Sequence, residues 1–463
     1  MINPLFNPEL REMLAEQDTE QMRVFCDSLH PARAAEFLDG LKPSEIWEVL
    51  RYTDTANRSD IFSYFDIDTQ TELLEYAPRE EAAELVGVSP ADDRVDILQE
   101  MDSEAAEEII NLLPSETRRD ILRLRAFPEG TCGAEMTSNF VRLQENMTID
   151  EAIAEISRQM DTQETVYYLY VLDEWDHLVG LVSAKQLLAA IGKGEKRIYD
   201  LIQRDLITVK AVDDRQMAVD VVTKYDFIAV PVVDDEHRML GIITHDDVID
   251  IHNEEATEDA HMMAAVSPLE EAYLEIPFVT ILRKRVFWLS FLFVAGLFTL
   301  TAMAHYSNAL DKLLILALFI PLCIATGGNS GSQAATLITR SLALGEISLR
   351  DWYRVLFHEV LMGLAMGIAL GSIGFVIAYC TPYFTPDRVQ GIENPWFPWL
   401  LAITIGQAVA TICLLGTIIG SMLPLLFKRI GADPAMASSP FVATFVDVTG
   451  IVVFFNIAKF WIL

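Results

Sequence analysis

Apolar residues recur along this chain with three different periods, and each period predicts a different architecture. Up to about residue 130 the chain is a run of short amphipathic segments: PARAAEFLDGL, PSEIWEVLRY, ADDRVDILQEM, DSEAAEEIINLL and PSETRRDILRL. Each opens on Pro, Ser or Asp, often with an acid about three residues on, which is helix-start chemistry. Apolar residues then follow at i, i+3 and i+4. The pattern predicts short helix pairs stacked into a superhelix. Between about 131 and 252 a unit is written twice. YVLDEWDHLVGLVSAKQLL from Tyr170 aligns with PVVDDEHRMLGIITHDDVI from Pro231 at a constant offset of 61. Each copy reads helix, strand, strand, helix, with an acidic turn between the strands. A connector follows, DDVIDIHNEEATEDAHMMAAVSPLEEAYLEI, which lacks Gly and is predicted to continue the last helix of the second copy. Beyond residue 277 the polar positions thin out into five apolar spans. These run over Val286–Ala304, about Leu313–Leu337, about Val355–Tyr379, about Trp399–Leu426, and the last stretch, Asp433–Leu463. Each is long enough to cross a bilayer. The expected fold is multi-domain: an all-α superhelical region (1–130), an α/β tandem pair (131–252), a connecting helix (253–276) and a five-helix transmembrane domain (277–463).

Two of the spans carry groups that lipid does not tolerate. In the fifth, Pro434 suits a first helical position, and a helix starting there places Asp447 about 20 Å along its axis. A carboxylate so deep in the hydrocarbon costs about 2.5–3.5 kcal/mol. Pro440, Thr444, Asp447 and Gly450 share one small, polar face. The second span contains Pro321 and then GGNSGSQAAT. Gly-rich polar backbone at that depth must pack on protein or line water, which predicts a broken helix. Small residues serve close helix packing, but Asn329 and Gln333, one turn apart, go beyond what packing needs. Two readings of Asp447 stay open on this evidence: a carboxylate bonded to a neighbouring helix, or a cation site in a membrane pathway.

Charge separates the two halves. The chain of 463 residues carries a net charge of −34. Before Pro277 there are 23 basic and 60 acidic residues, a balance of −37; after it there are 11 and 8, a balance of +3. Such an acidic excess repels phosphate and excludes nucleic acid as a partner. It favours cations. In the connector, acids crowd at helical spacing, where like charges repel unless water or a divalent ion intervenes. At the start of ADDRVDILQEM, at least one of Asp92, Asp93 and Asp96 is expected to cap the helix. His30, beside Pro31, reads as structural. The five cysteines are scattered and form neither a disulfide framework nor a zinc motif. No nucleophile–base pair or H-E-x-x-H motif appears, so an enzyme is not expected. The opening MINPLFNPELREM has no apolar h-region, and no cleaved signal peptide is expected. Arg283, Lys284 and Arg285 precede the first span, Arg340, Arg350 and Arg354 flank the second connection, and Lys428 and Arg429 the fourth. This bias predicts a cytoplasmic acidic region and an outside C-terminus.

The duplicated unit, with its strand–acidic turn–strand–G-h-h-[ST] order, resembles a pair of CBS domains. Such pairs often hold an adenine nucleotide, ATP among them. Thr244 and Asp247 match the positions that meet phosphate and ribose, whereas the first copy has Ser183 and then Gln186 where the acid belongs. That pair, with GGNSGSQAAT in the second span and DPAMASSPFVATFVDVTG in the fifth, resembles the MgtE family of magnesium transporters along the whole chain. The resemblance implies a homodimer in a bacterial plasma membrane, with a pore on the two-fold axis lined by the second and fifth helices. It implies Asp447 as the pore acid, with Pro440 and Thr444 before it and Asn329 and Thr336 facing it. Ser332 departs from the Asn of some relatives. It further implies that Asp93, Asp96, Asp214, Asp226, Asp247, Asp250, Glu255, Glu258 and Asp259 bind regulatory Mg²⁺ and lock a closed state. The connector is then a plug helix. Transport of Co²⁺ or Mn²⁺, and a non-conducting membrane sensor of metal or nucleotide, are the alternatives.

Overall fold

The computed structural model describes residues 7–160, 163, 165–192, 196–269, 273, 276–307, 313–385 and 394–462. They fall into two compact units, Met1–His252 and Asn253–Leu463.

The first unit opens with ten helices, α1 (Asn7–Glu16) to α10 (Ser115–Leu124), which begin at residues 7, 19, 31, 43, 55, 67, 79, 91, 103 and 115. The step is twelve residues throughout. Asp18, Asp54, Asp66 and Asp102 cap their helices by accepting backbone N–H bonds, and His30 does the same through Nδ1. The fourth residue of each helix points inward. It is apolar in six of them, from Leu10 and Met22 to Ala106, all buried. In the other four it is polar and bonds backward. Arg58 donates to the carbonyls of Leu50 and Thr53, Gln70 to Phe62 and Phe65, Arg94 to Val86 and Ser89, and Arg118 to Ile110 and Leu113. The last carbonyls of a helix have no partner within it; here the next helix supplies one. From α3 onward each helix packs chiefly on the helix two away, while α1 and α2 pack chiefly on each other, so the region is a continuous array. One expectation fails in this array. The N-cap of α8 (Ala91–Glu100) is Pro90, with no side-chain cap bond, and Asp92 and Asp93 lie inside the first turn. Pro90 occupies the cap position, so those carboxylates are left for other contacts.

The tandem units follow with matching geometry. Strands β1 (Phe140–Gln144), β2 (Thr165–Leu172) and β3 (Leu178–Ser183) form one sheet, and β4 (Val209–Lys210), β5 (Ala229–Val233) and β6 (Met239–Thr244) the other. Tyr168 pairs with Ser183 and Ala229 with Thr244, so the offset of 61 is kept in the register. It also holds in the turns, where Asp176 and His237 both have left-handed φ. The sequence pattern had shown only the hairpins; β1 and β4 add a parallel strand to each. Helix α11 (Ile149–Gln159) lies between β1 and β2, α12 (Ala184–Ala190) follows β3, and α13 (Gln216–Tyr225) lies between β4 and β5. Helix α14 (His245–Met263) starts directly after β6 and ends at Met263, short of residue 276.

Among the described residues of the second unit, five helices are long and apolar enough to cross a membrane. They are α15 (Phe278–His305), α16 (Ile320–Ala343), α17 (Trp352–Phe384), α18 (Phe397–Arg429) and α19 (Ser439–Trp461). Helix α18 is central, packing on α16, α17 and α19. Two expectations are corrected here. Helix α16 runs unbroken through Gly327–Gly331; the irregular backbone is the 3₁₀ turn before it, Leu314–Leu318. The glycines serve contact instead: a Cβ on Gly420 would lie 2.0 Å from the carbonyl oxygen of Gly331. The last helix does not start at Pro434, which sits in a 3₁₀ turn (Pro434–Met436) capped by Asp433. A helix from there would carry Pro440 in its interior, where the ring clashes with a carbonyl four residues back. Instead Pro440 lies in the first turn of α19. Asp447 is then eight residues into the helix, about 12 Å along it rather than 20 Å.

Candidate functional site

The membrane site is set by the antiparallel contact of α16 and α19. A Cβ on Gly327 would meet Val446, and one on Gly331 would meet Val442. Ser332 Oγ donates to the Ser439 carbonyl at 3.3 Å, so it ties the two helices together. This register puts Asn329 level with Thr444, Gln333 with Pro440, and Thr326 with Asp447. On α16, Gly327, Ser330 and Gly331 are buried, and Ser330 Oγ donates to the Cys413 carbonyl of α18. Asn329, Gln333, Thr336 and Arg340 share the opposite, exposed face. The small residues therefore do the packing and the amides do not. On α19, Thr444 Oγ1 donates to the Pro440 carbonyl at 2.8 Å. Asp447 is half-buried, one turn further on. The predicted group Asn329, Thr336, Pro440, Thr444 and Asp447 thus occupies exposed or half-buried positions on two helices in contact. Thr326 was missed, although it stands three residues before Asn329 at helical spacing.

The predicted regulatory acids divide between two places. In the first unit, Asp93 on α8 faces Asp247, Asp246 and Asp250 at the start of α14. Burial, and then those three charges, push the Asp93 carboxyl up to about 6. Asp247 is also raised, by burial first; the N–H and hydroxyl of Thr244, which donate to it at 3.1 and 2.5 Å, work the other way. Asp96 lies exposed on α8, one turn after Asp93. In the second unit, Asp259 is pushed up to about 6, by burial and then by Asp433, Glu255 and Glu258, against Arg340. Asp433 was not foreseen, because its capping role hides its charge in the sequence. Asp214 and Asp226 stand apart from both groups. The first accepts the Gln216 N–H, and the second ends α13 in a left-handed conformation. Among the described residues no three acid, His or Cys side chains are poised to hold a bare ion. The donors are oxygens throughout, which suits a hydrated Mg²⁺ bridged through its waters.

Thr244 and Asp247 close the start of α14 on each other, and Ser183 and Gln186 do the same for α12 as a capping box. Both candidate nucleotide positions therefore also serve as helix caps.

Residues 320–457 match the MgtE family, described as divalent cation transporter, residues 29–130 match the MgtE intracellular N domain, and 132–193 and 198–254 match CBS domains. The chain is 32% identical over 336 residues to the magnesium transporter MgtE of Thermus thermophilus, covering 73% of this chain and 71% of that protein. The chain belongs to the MgtE family. A second MgtE relative, from Enterococcus faecalis, is 30% identical over 333 residues, covering 72% and 69%. Two solved structures are similar to the MgtE-like N-terminal half. One is the soluble part of a magnesium transporter, 30% identical with a TM-score of 0.50, covering 54% of this chain and 97% of that one. The other is the cytosolic domain of the Mg²⁺ channel MgtE in complex with ATP, 30% identical with a TM-score of 0.50, covering 52% and 98%. The MgtE match makes the chain a multi-pass membrane protein with a helical N-terminal region and a CBS pair.

Proposed function

We propose that this protein carries Mg²⁺ inward across a bacterial plasma membrane as a homodimer, and that internal Mg²⁺ closes it. The observation that supports this reading is the exposed polar face of α16, with Asn329 and Thr336, beside half-buried Thr444 and Asp447 of α19. One protomer presents these four residues but cannot surround an ion. A second copy across a two-fold axis would complete the wall with a second Asp447. Two carboxylates can hold Mg²⁺ through its own waters, which it gives up reluctantly. The inside-negative potential drives a dication inward by about 4.6 kcal/mol per 100 mV. The named relatives, both magnesium transporters, support the choice of ion.

The closing step rests on repulsion. Acids that raise one another's pKa oppose the arrangement that brings them together, and a bridging dication removes that opposition. Asp93 with Asp247 and Asp250, and Asp259 with Glu255 and Glu258, are the ligands assigned to this step; Asp433 joins the second group. Metal bound at these groups favours the compact state because it meets both sides only there. The positive-inside bias puts the acidic region in the cytoplasm and the C-terminus outside. An adenine nucleotide is assigned to the second CBS unit near Thr244 and Asp247, supported by the similar domain solved with ATP. Asp447→Asn in proteoliposomes tests the core of the proposal. Mg²⁺ influx is expected to vanish while the dimer persists; undiminished influx refutes the pore assignment.

A further inference from the structure

The second unit holds a groove of about 680 Å³ on its surface, which reaches Phe445 of α19, two residues from Asp447 and so on nearly the opposite side of that helix. Its mouth is formed by Arg350 and Trp352, at the start of α17, and Arg429, the last residue of α18. Its wall descends along α18 through Leu426 and Met422 to Ile418. The charges at the mouth are uncompensated. Asp351 beside them is taken up by the Ser348 hydroxyl and N–H and by Arg354. Among the described residues neither Arg350 nor Arg429 pairs with a carboxylate. Both are exposed, and Trp352 is 55% exposed beside them.

The dimensions fit one leaflet of a bilayer. From Arg429 to Ile418 is eleven residues, about 16 Å of helix, against about 30 Å for the whole hydrocarbon core. Trp352 stands at the end of a span, where aromatic side chains meet headgroups. Two arginines over an apolar slot at that level recognise a phosphate ester joined to acyl chains. We infer that this groove binds an anionic phospholipid of the inner leaflet, with its phosphate on Arg350 and Arg429 and an acyl chain along α18. The assignment rests on the membrane orientation proposed above. A lipid seated there joins the start of α17 to the end of α18, and so braces the bundle where its helices leave the membrane.

The test is native mass spectrometry of the full-length protein given equal amounts of phosphatidylglycerol and phosphatidylcholine. The wild type is expected to retain phosphatidylglycerol preferentially. Arg350→Gln and Arg429→Gln each lower its retention roughly fivefold, the equivalent of about 1 kcal/mol per basic residue, and the double variant abolishes the preference. Arg350→Lys with Arg429→Lys restores most of it, which separates loss of charge from misfolding. Millimolar inorganic phosphate is expected to leave the bound lipid in place, because the acyl chain holds it. Equal retention of both lipids, unchanged retention in the double Gln variant, or displacement by phosphate alone overturns the inference. So does loss of lipid that only accompanies dissociation of the dimer, which makes the groove an interface between copies. Lipid retention is read without transport, so failure here is distinguishable from failure of the Mg²⁺ reading.

Discussion

Replacing Asp93 by Asn removes one carboxylate from the group formed with Asp246, Asp247 and Asp250, while keeping its shape. The Asp93 carboxyl is raised from 3.8 to about 6. An acid with a raised pKa binds its proton more tightly in the folded arrangement than when α8 and α14 part. Its penalty is fully present above about pH 6. It is relieved as pH falls through 6 and is gone below 3.8, where both states are protonated. Burial is the first cause of the rise and the three acids follow, so about 3 kcal/mol, or about a hundredfold, is the ceiling on its effect on the equilibrium between joined and parted helices. Hydrogen exchange of α8 and α14 amides in the full-length protein in nanodiscs measures that equilibrium. At pH 7.5 with chelator, Asp93→Asn is expected to slow exchange of these amides by up to about a hundredfold. Wild type at pH 5.5 should move the same way after correction for intrinsic rates. Mg²⁺ should protect the wild type and add little to the variant. Exchange in the variant as fast as in wild type, or equal protection of both by Mg²⁺, refutes the repulsion argument.

Asp259→Asn is expected to make closure less dependent on internal Mg²⁺, since Asp433, Glu255 and Glu258 no longer face a fourth charge; patch recording at graded internal Mg²⁺ checks this. Arg94→Met strips the carbonyls of Val86 and Ser89 of a buried donor, at about 3 kcal/mol for two charge-assisted bonds. Its effect is read as a lower unfolding temperature of the N-terminal helices by circular dichroism. Gly420→Val drives side-chain atoms into the Gly331 backbone. Loss of a monodisperse peak in size-exclusion chromatography is the expected result, whereas Gly345→Ala, where a Cβ meets nothing within 4 Å, should cost only the strain of its left-handed φ.

The regular periods were legible because each is local. The duplicated hairpins show in the offset of 61, and the membrane helices in their length and apolarity. The strand β4 was not, because two residues are too few to alternate. The start of α19 was misplaced because Pro434 and Pro440 both satisfy the rule for a first helical turn, and only the 3₁₀ turn between them decides. The twelve-residue step was hidden by its own solution. Arg58, Gln70, Arg94 and Arg118 interrupt the apolar positions, and only the carbonyls they meet show them to be internal. At the candidate sites the residue types were legible and their meeting was not. Asp93 and Asp247 are 154 positions apart, and nothing local joins them. Asp433 was invisible for another reason: its local job as a cap gives no hint of the neighbour that shares its field.

The twelve-residue step makes the N-terminal array countable. Every helix meets its neighbours through the same positions, so a segment of twelve residues is a whole tooth and any other length is a fraction of one. Removing one tooth upstream of α7 leaves Arg94 over the same carbonyls and Asp93 opposite the same partners. Removing six turns the next helix's inner residue outward and strands the carbonyls behind it. Length can therefore change in this region only by whole numbers, with Asp93 and Arg94 held in place while the rest of the arm grows or shrinks.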